Sequence, residues 1–310
     1  MASFLRALAV WRDARGRFSP LKAVTLVLVL LPGADLGLGW AMGALGGRPI
    51  TEVLHGLGEW TVRFLLLTLA VTPARAVFDW GGVVKLRRLL GVTTACYGAA
   101  HLLLYCVDQK WHLGTVASEI VTRFYLTIGF TALVMLGILA ATSTDGAQKR
   151  LGARWKRLHR LVFLLLPLAL LHYFLQAKAN VSAAVLASGF ACWLVGWRLA
   201  PKRWQRRLAL LPPLAVLAGL ATAGIETAWY ALATGANAWR VLEANLNLAF
   251  GPRPAVSVTL CGLLVLLIAS LRRLRRRGSA PGSRQGSALD PPRAERPLEP
   301  TLWRGVERGG

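Results

Sequence analysis

The chain contains five histidines, and two of them sit where an imidazole is expensive to keep. His101 lies inside the apolar run GVTTACYGAAHLLLYCV and His172 inside FLLLPLALLHYFL. An ionisable side chain deep in such a run marks a function by default. At the helical rise, His101 lies roughly 18 Å beyond the start of its run at Leu89, and His172 roughly 21 Å beyond the start of its run at Leu158. If both runs are membrane helices pointing the same way, the two rings reach a common depth. Two chemistries suit such a pair. Each ring could bond a neighbouring helix. Alternatively, the two could face each other and supply both axial ligands of a b-type haem, which would make the chain an electron carrier.

The other candidates are less determined. His159, in RWKRLHRLVF, precedes His172 by 13 residues and so lies roughly 20 Å lower. The residue 13 before His101 is Arg88, which is no ordinary axial ligand. Thirteen residues turn about 220° beyond three full turns, so His159 and His172 do not share a straight face unless Pro167 bends the helix between them. His159 therefore reads as a ligand with an unusual partner, a propionate contact or an interface residue. The basic cluster Lys85–Arg88 and the basic loop Lys149–Arg157 could hold haem propionates or a flavin phosphate through charge-assisted hydrogen bonds, but topology-setting charge explains them adequately and is the preferred reading. His55 reads as a loop histidine just before the second apolar run, and His112 as a solvated loop histidine. Neither belongs to a zinc spacing such as HExxH. Glu226 stands alone in the seventh run. Cys96, Cys106, Cys192 and Cys261 form no CxxC pair and read as small packing residues. No internal repeat is evident, and GLGEW at Gly56–Trp60 lacks the strand–turn–helix context of a phosphate-binding loop.

The elements that must position these residues are membrane helices. Of 310 residues 55% are hydrophobic and 16% charged, against about a quarter charged in a soluble domain. The net charge of +23 does not point to nucleic acid, because the basic residues cluster between apolar runs. Eight runs approach the ~20 residues that cross a bilayer: Ala23–Leu45, Thr61–Phe78, Leu89–Val107, Val121–Thr142, Leu158–Ala177, Val181–Leu199, Leu208–Ala233 and Ala255–Leu271. The first is too long for a signal-peptide core and has no convincing cleavage site. Connecting segments alternate between basic-rich and basic-poor. Arg6, Arg12, Arg15, Arg17 and Lys22 precede the first span and only Arg48 follows it. Arg75, Lys85, Arg87 and Arg88 come next, then Lys110, then the five basic residues Lys149–Arg157, then Lys178. Arg198–Arg207 supplies five more, the seventh loop two, and the tail opens with Arg272, Arg273, Arg275, Arg276 and Arg277. The positive-inside rule then places both termini in the cytoplasm. The expected fold is an all-α polytopic bundle of eight transmembrane helices. Its parts are a cytoplasmic segment (1–22), a haem-binding core (23–205), a two-helix extension (206–271) and a basic, disordered cytoplasmic tail (272–310) whose start lies against anionic headgroups.

The stretches RFLLLTLAVTPAR, KLRRLLGVTTACYGAAHLLLY, TRFYLTIGFTALVMLGILAATST and RLGARWKRLHRLVFLLLPLALLHYFL resemble the MsrQ (YedZ) family in order and spacing over roughly residues 20–205. That family belongs to the ferric-reductase-like transmembrane group. The resemblance implies a bacterial inner-membrane protein that binds b-type haem and FMN. It would take electrons from a quinol or a flavin reductase and pass them to MsrP, a periplasmic molybdoenzyme that reduces methionine sulfoxide in oxidised envelope proteins. The family's haem histidines fall on His101, His159 and His172. Larger relatives carry two histidines on each of two helices, and this chain lacks the second on its third span. No motif places FMN, and the added residues 206–310 have no counterpart in the resemblance. A haem carrier with another acceptor, such as ferric iron, and a haem-free transporter or membrane scaffold are the competing expectations.

Overall fold

The computed structural model of the chain describes residues 16–177, 180–247, 249 and 251–278. Helices α1 (Pro20–Ala41), α2 (Pro49–Val77) and α3 (Arg87–Asp108) come first, α3 being entered through a 3-10 segment at Gly81–Leu86. A short helix α4 (Leu113–Thr122) leads into α5 (Phe124–Ala141). Two small helices, α6 (Asp145–Leu151) and α7 (Ala153–Leu158), precede a 3-10 turn at His159–Leu161 and then α8 (Val162–Ala177). Helices α9 (Ser182–Leu199), α10 (Leu211–Thr234), α11 (Ala238–Ala244) and α12 (Pro254–Gly278) complete the described chain.

Eight helical segments are long and apolar enough to cross a membrane, as many as the apolar runs. The second begins at Pro49, well before Thr61. Pro49 suits a first helical position and Glu52 the positive first turn, so polar residues there open the helix rather than delay it. His55 is therefore an exposed helical residue and not part of a loop. The last helix continues through Arg272–Gly278, past the end of its apolar run. Residues 1–15 and 279–310, which hold most of the two terminal segments, lie outside the described residues.

Four helices form the centre. Helix α2 packs along α3 and α5 along α8, while α3 meets α5 and α2 meets α8, so that α3 and α8 stand diagonally. Val62, Leu65, Leu66, Leu136, Leu139, Leu165 and Leu166 fill the space between them. Helix α1 flanks α2 and α3; α9 packs on α2 and α8 and carries the pair α10 and α12 on its far side. Large apolar side chains such as Leu28, Leu103, Leu220 and Leu264 point outward, as a lipid-facing surface requires.

Two prolines show how breaks in these helices are repaired. Pro32 lies inside α1, and beside it the Tyr97 hydroxyl inserts into the backbone ladder, accepting from the Gly33 amide at 2.8 Å and donating to the Val29 carbonyl at 2.8 Å. Pro73 has no amide to give the Leu69 carbonyl, and Arg198 from α9 donates to that oxygen at 2.5 Å. Each repair ties a flanking helix to the centre. At the basic end, Asp79 binds Arg276 at 2.8 Å and Arg206 at 3.7 Å, which fastens α12 to the turn after α2.

Candidate functional site: paired imidazoles between two helix pairs

His101 on α3 and His172 on α8 meet in the middle of the four-helix centre, nearer the end opposite the basic clusters. Their ring centroids are 6.4 Å apart and their planes cross at 83°. Both rings are partly buried. Each is held in the same way from the helix behind it. His101 Nδ1 lies 2.8 Å from the Leu54 carbonyl on α2, and His172 Nδ1 lies 2.8 Å from the Tyr125 carbonyl on α5. A carbonyl only accepts, so the proton of each neutral ring sits on Nδ1. The Nε2 lone pair is then free to bind a metal.

A glycine makes each approach possible. In a helix the carbonyls of Leu54 and Tyr125 already face the amides of Gly58 and Gly129, one turn on. A Cβ on Gly58 would stand 3.2 Å from the His101 ring, and a Cβ on Gly129 only 2.6 Å from the His172 ring. Without side chains there, each imidazole lies against bare backbone and reaches a carbonyl that already serves its own helix.

These contacts repeat along the chain. Tyr125, Gly129 and His172 stand 71 positions after Leu54, Gly58 and His101 respectively, and each histidine is 47 residues from its carbonyl. The pairs α2–α3 and α5–α8 thus build matching halves. This corrects the reading of the sequence as free of internal repeats. The repeat is one of backbone framework, and few side chains apart from the glycines and histidines survive in it. Leu54, Gly58, Tyr125 and Gly129 were not singled out by residue type. The available signal was the equal glycine-to-histidine spacing in the two halves.

The geometry fits a bis-imidazole haem. With metal–nitrogen bonds of about 2 Å and ring radii of about 1.1 Å, two imidazoles on opposite sides of one iron would have centroids about 6.2 Å apart. The observed separation matches that value. Among the described residues no cluster of three or more His, Cys, Asp or Glu could hold another metal ion.

The lower level is built differently. His159 stacks on Trp155 at 3.9 Å, its Nδ1 is 3.2 Å from the Trp155 carbonyl and its Nε2 is 3.5 Å from Ser143 Oγ. Arg88, its counterpart in the other half, donates to the Ser143 carbonyl at 2.5 Å and pairs with Asp145 at 2.7 Å. The hydrogen bond and charge of Arg88 hold the Asp145 carboxyl below its usual value. The 3-10 turn at His159–Leu161 separates His159 from the regular helix of His172, so the break between the two comes before Pro167 rather than at it. His159 and Arg88 converge on Ser143, and the structure brings neither to the His101–His172 pair. His112 stands just before α4, makes no side-chain cap to it, and is exposed.

Residues 57–170 match the family model described as ferric reductase like transmembrane component. That match contains both glycines and His101 and His159, and stops just before His172. A curated relative from Rhodospirillum rubrum is 39% identical over 203 residues, which is 65% of this chain and 95% of the relative. Its name is protein-methionine-sulfoxide reductase heme-binding subunit MsrQ. The chain belongs to the MsrQ family. MsrQ proteins from Azospira oryzae (36% identical; 60% of this chain, 81% of the relative) and Xanthomonas campestris (38%; 55% and 80%) agree. About a third of this chain lies outside the match to the first of these MsrQ relatives. No solved structure matches the chain significantly.

Proposed function

We propose that this protein is a haem-b membrane subunit that passes electrons across the bilayer to a protein-methionine-sulfoxide reductase. The observation that carries this reading is the His101–His172 pair, with matched carbonyl partners and a 6.4 Å ring separation. His101 and His172 would hold the iron through Nε2. When bound, the haem supplies a one-electron centre inside the hydrocarbon layer, where about 30 Å would otherwise separate the two aqueous phases. The protein's own contribution is orientation and basicity. The Leu54 and Tyr125 carbonyls draw on the Nδ1 protons, which makes the imidazoles stronger donors to iron. Gly58 and Gly129 let both rings sit close enough to the centre. The apolar core of the four central helices would limit water near the haem and so tune its potential.

The alternation of basic segments supports cytoplasmic termini in a bacterial inner membrane. The histidine pair then lies towards the periplasm, on the side of an MsrP-like molybdoenzyme acceptor. The donor would be a quinol or a cytoplasmic flavin reductase, as the family resemblance implies. His159 and Arg88 offer one imidazole and one guanidinium at the basic end, suited to a propionate or to a second, differently held haem. FMN is assigned to no residue of this chain. The core of residues 23–205 would carry the haem function, with the extension outside it.

The test has two parts. His101→Ala and His172→Ala should each remove the bis-imidazole spectrum of purified protein, and an unchanged spectrum overturns the ligand pair. A colourless wild-type protein would favour a haem-free transporter or scaffold. In a strain deleted for this gene, oxidised periplasmic proteins should accumulate methionine sulfoxide. Intact repair beside lost ferric reduction would move the acceptor to iron.

A further inference from the structure

Among the described residues, five buried side-chain polar atoms lack a hydrogen-bond partner, and four of them belong to residues 226–245. They are Glu226 Oε2, Thr227 Oγ1, Trp229 Nε1 and Asn245 Oδ1. Buried polar atoms are rarely left unpaired, and a cluster of them calls for an explanation. Of these residues Glu226 lines a cavity of about 580 Å³ between α9, α10 and the start of α12, at the end of the bundle away from the basic clusters. Glu226, Arg253, Ser182, Tyr230, Asn247 and Ser257 are among its lining residues. Its size falls in the range of small-molecule sites, roughly 300–1,000 Å³.

Glu226 is 2% exposed. Arg253 Nη1 donates to its Oε1 at 3.0 Å, while Oε2 has no partner. Arg253, also in the lining, is 40% exposed. The lining thus presents an acceptor of negative charge beside a donor of positive charge, in a pair that is neutral overall. A bare cation or anion would leave one charge uncompensated in a poorly solvated place, which is costly. A ligand bearing both signs would not. Its ammonium can donate to the carboxylate, and its anionic group can take the remaining guanidinium N–H groups, which bind phosphates and carboxylates well.

We propose that this cavity binds a zwitterion in which a primary ammonium stands beside an anionic group, as in an aminophospholipid headgroup or a free amino acid. The surroundings favour the lipid. Helix α11 and its flanks expose Leu232, Trp239, Leu242 and Leu246, at 88%, 66%, 41% and 84%. Tryptophan and leucine side chains so placed suit the boundary between headgroups and acyl chains. The site lies where the two-helix extension packs on α9, the last helix of the core.

The experiment uses the full chain in detergent, stripped of lipid. Binding of dihexanoyl phosphatidylethanolamine, dihexanoyl phosphatidylcholine and free methionine is measured by native mass spectrometry and thermophoresis. Phosphatidylethanolamine should bind at least about tenfold tighter than phosphatidylcholine, whose quaternary ammonium has no N–H to donate. Glu226→Gln should remove most of that preference. Ser257→Phe, which fills the cavity and spares the ion pair, should weaken binding even if the first variant folds poorly. Methionine binding that both variants abolish supports the zwitterion chemistry and assigns it to a free amino acid. Equal binding of the two lipids, or none of the three probes bound by folded protein, overturns the proposal and leaves the cavity to water.

Discussion

The two levels of the central bundle use one framework and end differently. At the level of His101 and His172, both helix pairs present an imidazole held by a carbonyl and backed by a glycine. At the level of Arg88 and His159, one pair presents a guanidinium bound to Asp145 and Ser143, and the other an imidazole stacked on tryptophan. The backbone repeat alone therefore does not make a two-sided metal site. It would make one only where the histidine, its carbonyl and a missing Cβ recur together. This explains why His101 and His172 face each other while His159 faces Ser143.

The comparison breaks most sharply if either member of the upper pair can be spared. His172→Ala and His101→Ala should each remove the low-spin bis-imidazole spectrum entirely, as read by the reduced-minus-oxidised difference. His159→Ala should keep it, since that ring has other partners in both directions. Loss of the upper-pair spectrum in His159→Ala would mean that the levels are not independent.

The backing glycines sharpen it next. A Cβ at Gly129 must push the His172 ring aside, whereas one at Gly58 asks His101 to yield by only a few tenths of an ångström. Gly129→Ala should therefore shift the haem bands and midpoint potential more than Gly58→Ala, at a stability cost of about 1–3 kcal/mol typical of overpacking. Equal effects, with both haem spectra intact, would remove the glycines from the positioning of the rings.

The smallest effect belongs to the lower level. Asp145 is exposed, and Arg88 depresses its pKa. Such a group contributes stability that is complete above its unfolded value of about 3.9. The contribution is lost as pH falls through the lower folded value. Thermal stability should thus be insensitive to this pair between pH 7 and 5. Asp145→Asn should cost less than about 1 kcal/mol, as solvent-exposed ion pairs do. A larger loss in a melting curve at neutral pH would give Asp145 a role beyond that pair.

Much of the scaffold was legible beforehand. Apolar runs and alternating basic segments carry the eight spans, because length and charge at a membrane boundary are local properties. The common depth of His101 and His172 was legible for the same reason, since helical rise converts position into height. The start of α2 was not, because Glu52, His55 and Glu59 lower the apolarity of a segment that is nonetheless helical. The supports of the two rings were hidden too. Their carbonyl partners lie 47 residues away, and a backbone oxygen carries no residue type. The Glu226–Arg253 pair joins residues on either side of α11, so Glu226 looked solitary in its run.

The most direct measurement is low-temperature electron paramagnetic resonance of the oxidised full-length protein, with haem quantified on the same sample. If His101 and His172 hold haem with their planes crossing near 83°, two iron d orbitals would be almost equal in energy. A six-coordinate low-spin signal with strong anisotropy is therefore expected, absent from His101→Ala and His172→Ala and retained in His159→Ala. A high-spin signal from one-sided ligation, or haem content unaffected by loss of either histidine, would contradict a haem held between α3 and α8.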